Sequence, residues 1–165
     1  MKKSIRMKAA AAAIAVAGAL GMVHEAAAQA NEIFVPVLVY RTGAYAPNGV
    51  PWADGFVDYL KLVNERDGGV NGIKLAFEEC ETGYATDRGV ECYERLKSKK
   101  PVAVNPLSTG ITFALTEKVA ADKIVLMTTG YGRSESADGS VFAWNFPLLG
   151  TYWSAADMLV QHVAK

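Results

Sequence analysis

The pattern of apolar and polar positions predicts strands and helices that alternate along the chain. The run IFVPVLV at residues 33–39 is continuously apolar and has the length of a strand. After a turn-rich segment, apolar side chains recur at helical spacing over residues 52–67, with Pro51 in the first turn and a Gly-Gly pair at the end. The same alternation predicts strands at 73–80, 101–105, 123–129 and 141–146, and helices at 86–97, 111–122 and 148–165.

Strands that alternate with helices across short loops favour a parallel sheet. The strand segments are apolar at nearly every position, which fits burial on both faces of the sheet. The last predicted helix has Leu149, Trp153, Ala156 and Val160 in register on one face. The predicted fold class is therefore α/β, a three-layer parallel sheet with helices on both faces.

Ligands of such a sheet gather at the carboxyl ends of its strands. Four loops of this chain reach that edge, and each is rich in glycine, hydroxyl and tyrosine residues and poor in groups for proton chemistry. They span residues 41–49, 79–86, 105–110 and 128–136. We take these four loops as the place to look for a functional site.

The first thirty residues predict an export signal instead of a part of the fold. A basic segment, MKKSIRMK, precedes an apolar run too short to span a bilayer comfortably, and Ala28-Gln29-Ala30 has the small-x-small pattern of a cleavage site. No cysteine lies near that site, so we expect no lipid anchor there. We expect cleavage after Ala30 and a periplasmic product of residues 31–165.

Charge and histidine content narrow the classes of partner. Seventeen acidic and seventeen basic side chains balance over the whole chain. Because the signal segment is basic, residues 31–165 are mildly acidic, which argues against a nucleic-acid partner. The only histidines, His24 and His162, lie far apart, and no metal-binding spacing is present, so we expect no metal site.

Two cysteines, Cys80 and Cys92, lie in the exported part of the chain. Export to an oxidising compartment favours a disulfide between them, with two free thiols as the alternative. A helix that folds back over the second strand would bring Cys92 near Cys80. The short loop closed by such a bond gives about 3 kcal/mol of stabilisation, or a little less, in the chain-entropy estimate.

The polar loops offer little support for catalysis. NPLSTG at residues 105–110 lacks the first glycine of the G-x-S-x-G nucleophile motif, and His162 is the only histidine that could serve Ser108 as a base. The G-x-G at 130–132 has no third glycine, so a dinucleotide site is weakly supported. Glu78 and Glu79 are neighbours on a strand and point to opposite faces. We predict neither a catalytic residue nor a cofactor.

Ser108 and Thr109 stand where the third predicted helix begins. There the hydroxyls and the unpaired N–H groups of the helix would converge on a negative group such as a carboxylate. Ordinary capping of the helix by either side chain explains the same pattern. The spacing alone leaves both interpretations open.

Several motifs resemble one known family. NERDGGVNGIKLAFEEC at 64–80 carries the strongest similarity, with support from TGAYAPNGVPWADGF at 42–56, STG at 108–110 and LMTTGYG at 126–132. With these motifs the chain resembles the substrate-binding proteins of branched-chain amino acid ABC transporters. The resemblance implies a type I periplasmic-binding-protein fold with two lobes that close over a ligand. Members are more than twice this long, so it also implies that residues 31–165 are the N-terminal lobe, with the second lobe absent.

The resemblance implies a set of ligand-binding residues and two partners. The set, carried over from the family's loops, is Ser108, Thr109, Gly130, Tyr131, Tyr45 and Asn48. The partners are a small-molecule ligand and an ABC permease in the inner membrane. A disulfide in the second-strand region also occurs in the family, although its pairing there need not match Cys80 with Cys92.

The function that the resemblance implies is that of an extracytoplasmic solute-binding component of an ABC importer, not an enzyme. Its ligand would be a branched-chain amino acid or a related small carboxylate, amide or aromatic solute. Tyr131 stands where amino acid binders tend to carry small or hydroxyl residues, and together with Tyr45, Tyr84 and Trp52 it hints at a ligand other than leucine. Trp52 fits core packing better than ligand binding. The alternatives are an exported ligand-sensing receptor domain and an exported α/β hydrolase.

Overall fold

A computed structural model of the chain describes residues 32–129 and 132–164, in which five strands alternate with four α-helices. The strands are β1 (Glu32–Val39), β2 (Lys74–Glu81), β3 (Ala103–Val104), β4 (Val125–Thr128) and β5 (Asn145–Pro147). The helices are α1 (Ala46–Arg66), α2 (Thr86–Leu96), α3 (Thr109–Asp122) and α4 (Tyr152–Val163). The predicted export signal and the predicted site residues Gly130 and Tyr131 lie outside the described residues.

The described strands form two hydrogen-bonded groups. β3, β4 and β5 are parallel, with Leu126 opposite Asn145, while β1 pairs with β2. Pro101 and Pro106 flank β3 and lack the N–H groups that would extend its ladder, so this strand stays at two residues. In the three-stranded group, β4 is therefore the central strand and pairs with both neighbours.

The hydrophobic core lies on both faces of β1. Leu38 belongs to a cluster with Val104 of β3, Leu126 of β4 and buried side chains of α2 and α3. Val37 and Val39 point the other way and pack against α1. The continuous apolar pattern of β1 therefore reflects burial on both sides. This arrangement confirms the predicted α/β fold with helices on both faces.

Helices α2 and α3 approach each other closely, and a disulfide joins α2 to β2. A Cβ atom placed on Gly89 of α2 would lie 2.5 Å from Cδ1 of Ile111, so a larger residue there would displace a buried side chain of α3. Cys80 of β2 and Cys92 of α2 form a disulfide with their Cα atoms 5.8 Å apart. The predicted disulfide is confirmed.

Helix α1 begins earlier than the apolar pattern predicted, at Ala46 instead of residue 52. Pro47 occupies its first turn, where a missing N–H costs no helical hydrogen bond. The prediction that Pro51 lies in the first turn is therefore wrong, because Pro51 lies inside the helix. The earlier start also moves Asn48 from a loop into the first turn of α1.

Helix α4 forms within its predicted range, but all of its residues are exposed in the described structure. Trp153 is 77% exposed and Val160 66%. The apolar face that holds these two residues is not covered by any other part of residues 32–129 and 132–164. Within the same residues, no helix is both long enough and apolar enough to cross a membrane.

Candidate functional site

A cavity of about 220 Å³ opens at the carboxyl ends of the strands. Its described lining combines hydroxyl side chains, tyrosine rings and one leucine: Tyr40, Tyr84, Leu107, Ser108, Thr109, Thr129 and Tyr152. None of these side chains carries a charge near neutral pH. The cavity can therefore hold a small polar molecule by hydrogen bonds, but its lining has no ionised group to move a proton.

Ser108 is the N-cap of α3 and is almost fully buried, with 4% of its surface exposed. Its Oγ accepts a hydrogen bond from the backbone N–H of Ile111 at 3.3 Å. Its carbonyl accepts hydrogen bonds from the N–H and the hydroxyl of Thr112, at 3.0 and 2.8 Å. Because a hydroxyl that accepts one bond keeps its own proton, Ser108 can cap the helix and still donate into the cavity.

A buried threonine pair joins the start of α3 to the end of β4. The hydroxyl oxygens of Thr112 and Thr128 lie 2.6 Å apart, and both side chains are fully buried. Thr112 is also bonded to the Ser108 carbonyl, so the two cavity loops share one hydrogen-bonded network. This network holds Thr129, the residue after β4, beside the N-terminus of α3.

The carboxylate of Glu81 fixes the loops that follow β1 and β2. Its two oxygens accept hydrogen bonds from the N–H of Arg41 at 2.8 Å, the hydroxyl of Thr42 at 3.2 Å and the N–H of Gly83 at 2.7 Å. One residue on, the buried hydroxyl of Thr82 donates to the carbonyl of Val39 at 2.8 Å. Both loops are thus held at the same edge as the cavity.

Three tyrosine rings pack together beside these loops. Tyr84 meets Tyr40 edge to face, with ring centroids 5.0 Å apart, and stacks with Tyr45 at 4.2 Å. Tyr40 is buried, whereas Tyr45 is half exposed. Tyr84 has a φ of +64°, in the left-handed region that non-glycine residues rarely adopt. The cluster therefore rests on a loop conformation that its neighbours must stabilise.

The structure brings some of the predicted site residues together and leaves others apart. Ser108 and Thr109 line the cavity. Tyr45 stacks on Tyr84 and so lies one ring away from the lining, while Asn48 is exposed on α1 and is not among the lining residues. Trp52 stacks on Phe56 and packs in the α1 cluster, as expected for a core side chain.

The predicted site set left out several lining residues: Tyr40, Leu107, Thr129 and Tyr152, and also Tyr84, which the sequence had suggested only as one of the rings that hint at the ligand. Thr129 and Tyr84 belong to loops whose composition had marked them as polar, but nothing in the sequence gave the backbone conformation of Tyr84. Tyr152 begins α4, and its place in the lining depends on how that helix starts.

Two cations near the site, Arg41 and Arg133, make contacts outside the lining of the cavity. Arg41 donates from Nε and Nη2 to Glu79 at 2.7 and 3.1 Å and from Nη1 to Asp54 at 2.6 Å. These hydrogen bonds, that to Glu79 first, raise the pKa of Arg41 above its ordinary value. Arg133 lies over the ring of Phe113 at 4.8 Å. No group of metal-binding side chains occurs among the described residues.

The family model described as "Periplasmic binding protein" matches residues 32–165. Among curated proteins, none is similar enough to match the chain. Members of the matched family are extracytoplasmic proteins that bind small molecules and do not catalyse reactions.

Solved structures are similar to this chain in fold, and they show how much of a longer protein it matches. A protein titled "abc transporter permease" from the Pseudomonas fluorescens group is 43% identical, with a TM-score of 0.75 over 81% of this chain and 33% of its own. The isoleucine complex of a Streptococcus pneumoniae branched-chain amino acid transporter substrate binding protein is 18% identical, with a TM-score of 0.62 over 73% and 34%.

A solute binding protein from R. palustris, solved with benzoate, is 19% identical, with a TM-score of 0.55 over 70% of this chain and 32% of its own. The chain spans about a third of the length of these three structures. The resemblance seen in the sequence is confirmed: this chain belongs to the periplasmic binding protein family and has the type I fold of its branched-chain amino acid binding members.

Proposed function

We propose that the protein is the extracytoplasmic solute-binding component of an ABC importer, and that it binds a small carboxylate solute in the cavity at the carboxyl ends of its strands. The observation that carries the proposal is the convergence of Ser108, Thr109 and Thr129 at the N-terminus of α3. In a family of binding proteins, an uncharged cavity lined by hydroxyls suits reversible binding better than chemistry.

The polar end of the ligand is the part that this convergence would hold. The N–H groups of Thr109 and Gly110 stand in the first turn of α3, where helical bonding leaves them without carbonyl partners. Ser108 and Thr129 add hydroxyl donors from two sides. The positive end of the helix dipole favours a carboxylate at this point over a neutral or cationic group.

Transport would follow from closure of two lobes over the ligand. In this proposal the described residues are the first lobe; the relatives of known structure are more than twice as long as this chain. In the proposed cycle the ligand is held between the lobes in the periplasm and is then released to a permease in the inner membrane. The signal segment at residues 1–30 would direct export, with cleavage after Ala30.

A substitution of Ser108→Asp tests the role of the cavity. Aspartate caps a helix about as well as serine, so α3 should stay intact, but its negative charge would repel a bound carboxylate and remove a donor. A thermal-shift screen of small solutes, followed by calorimetry on each hit, should show binding to the unaltered protein and at least tenfold weaker binding to the variant.

Ser98→Ala is the matched control, because Ser98 is exposed and its hydroxyl bonds only to the carbonyl of Arg95. That variant should bind as the unaltered protein does. Full affinity in Ser108→Asp would place the ligand elsewhere. Turnover of any hit, lost in the Ser108→Asp variant, would replace the binding role with an enzymatic one.

A further inference from the structure

One wall of the cavity is aromatic. Tyr40, Tyr84 and Tyr152 contribute rings to the lining, and Tyr45 backs Tyr84 from outside it. The rest of the lining is Leu107 and the hydroxyl-bearing residues Ser108, Thr109 and Thr129. A molecule in this cavity would therefore meet both hydrogen-bond donors and tyrosine rings.

The backbone that places Tyr84 in this wall is strained and is held from both sides. Its φ of +64° lies in the left-handed region, where a side chain persists only if its surroundings impose it. On one side, the N–H of Gly83 is bound to Glu81; on the other, the N–H of Ala85 donates to the carbonyl of Thr82 at 2.9 Å. The N–H of Tyr84 itself donates to the hydroxyl of Thr82 at 3.2 Å.

The contacts among the tyrosine rings also fix the orientation of the rings in the wall. Tyr40 is 6% exposed and cannot turn away, and it meets Tyr84 at an interplanar angle of 79°. Tyr45 stacks on Tyr84 at an angle of 28°. Aromatic pairs in these geometries gain more than the burial of area alone, because ring edges and faces attract each other. A ligand ring would join this arrangement, whereas a branched aliphatic chain would gain area alone.

Tyrosine rings can also attract a cation, but the N-terminus of α3 disfavours a cation in this cavity. The N-terminus of α3 carries positive partial charge, and the lining includes no carboxylate.

We propose that this site takes a small planar aromatic carboxylate and that Tyr84 is the residue that sets this specificity. The inference rests on the proposed function and names the class of ligand for the same cavity. The carboxylate is held at Ser108 and Thr109, and the ring of the ligand packs against Tyr84 and Tyr40. Glu81 acts as a positioning residue, because its carboxylate holds the loop that carries Tyr84.

Two carboxylates of nearly the same size and a third, aliphatic one test whether the site prefers an aromatic ring. Benzoate is the smallest aromatic carboxylate, cyclohexanecarboxylate is its saturated counterpart, and leucine is the branched aliphatic reference. Calorimetry on the natural protein, at the length at which its cell makes it, should find benzoate bound about tenfold more tightly than cyclohexanecarboxylate, the upper end of what one aromatic contact contributes.

Variants at position 84 then assign the preference. Tyr84→Gly suits the left-handed backbone and removes the ring; cyclohexanecarboxylate should lose only apolar contact area, whereas benzoate should also lose the ring–ring attraction, so most of the tenfold preference should disappear. Tyr84→Phe keeps the ring and should keep the preference. Tyr59→Leu, at an exposed tyrosine of α1, is the control and should behave as the unaltered protein.

The possible outcomes distinguish a failure of this inference from a failure of the proposed function. If leucine or cyclohexanecarboxylate binds as tightly as benzoate, and Ser108→Asp abolishes that binding, the inference is overturned and the proposed function stands. If benzoate is preferred but Tyr84→Gly keeps the full preference, the role of Tyr84 is overturned. If none of the three probes binds, the inference fails, and the wider solute screen with Ser108→Asp decides the proposed function by itself.

Discussion

Tyr93 shows how one buried hydroxyl links the helices beneath the site. The side chain is 1% exposed, and its hydroxyl donates to Asp122 at 2.8 Å, while Lys97 lies 3.0 Å from the same carboxylate. Burial chiefly, and then the bond to Asp122, raises the pKa of Tyr93 above its ordinary value. The partners, Lys97 first and Tyr93 second, hold the pKa of Asp122 below its usual range.

Replacing Tyr93 with phenylalanine should lower the free energy of unfolding by about 1.5 kcal/mol at neutral pH, the lower end for a hydrogen bond to a charged group, because Asp122 is partly exposed. Because the folded pKa of Asp122 is depressed, its stabilising contribution is present above the unfolded value of roughly 3.9 and is lost as the pH falls through the folded pKa. The difference between variant and unaltered protein should therefore shrink near pH 3.

Urea unfolding at pH 7 and pH 3 checks this expectation, with Tyr59→Phe on the exposed face of α1 as the control. The control should match the unaltered protein at both pH values. A difference for Tyr93→Phe that is the same at both would show that the hydroxyl contributes without the Asp122 charge.

The roles of some single residues could be predicted from the sequence, and those of others could not. Ser108 was open to two interpretations, as a helix cap or as a ligand donor; the structure shows the cap and also places the side chain in the cavity lining. The capping pattern is local, so the sequence could contain it. The left-handed φ of Tyr84 was not predicted, because this conformation is rare for a residue other than glycine; the bonds that hold this turn run to Glu81 and Thr82, just before it in the chain.

At the scale of elements, the disulfide joins a strand to the helix that covers it. Cys92 is buried in the same cluster as Leu38 of β1, and Cys80 packs against that cluster from β2. The bond thus closes a short loop around the turn that carries Gly83 and Tyr84. Constraint of the unfolded chain is the main source of its stabilisation in the chain-entropy model.

Removing the disulfide in a Cys80→Ser/Cys92→Ser double variant should lower the free energy of unfolding by about 3 kcal/mol. The measurement is chemical unfolding of the variant beside the oxidised protein. Reduction of the unaltered protein by dithiothreitol should move its unfolding midpoint in the same direction and have no effect on the variant. Equal stability of variant and oxidised protein would contradict a structural role for the bond.

The elements themselves were largely predictable, because alternation of apolar runs and helical periodicity is a local signal. β1 reads as an apolar run because both of its faces are buried. The start of α1 was misplaced, since either Pro47 or Pro51 could occupy a first turn and only the fold chooses between them. Trp153, Ala156 and Val160 of the predicted apolar face lie on α4, whereas Leu149 precedes the helix. What covers this face depends on long-range packing, which helical periodicity does not predict.

At the scale of the whole molecule, α4 is the feature that the described residues leave unexplained. Its exposed apolar side chains Trp153, Leu159, Val160 and Val163 lie on one face of the helix, and Met158 is exposed on another face. A continuous surface of this kind on a water-soluble protein marks a contact with another part of a structure. Since the chain spans about a third of its solved relatives, we propose that additional chain covers α4 in a complete two-lobed protein.

The polypeptide 31–165 produced alone should therefore associate with itself at micromolar concentration, because burying this face removes apolar area from water. Sedimentation velocity over a concentration series measures the effect. A Trp153→Gln/Leu159→Gln double variant should sediment as a monomer, and Tyr59→Gln on α1 should not change the association. A monomer at every concentration for the unaltered polypeptide would show that the face needs no partner.

The central claim is that the protein holds one small carboxylate solute at the N-terminus of α3. The most direct test is the mass of the natural protein, released from the periplasm of its source cell, under native and denaturing conditions. We predict a native mass that exceeds the denatured mass by one small acid, and no such excess in Ser108→Asp. Equal masses in both states, even after incubation of the unaltered protein with spent growth medium, would contradict the account.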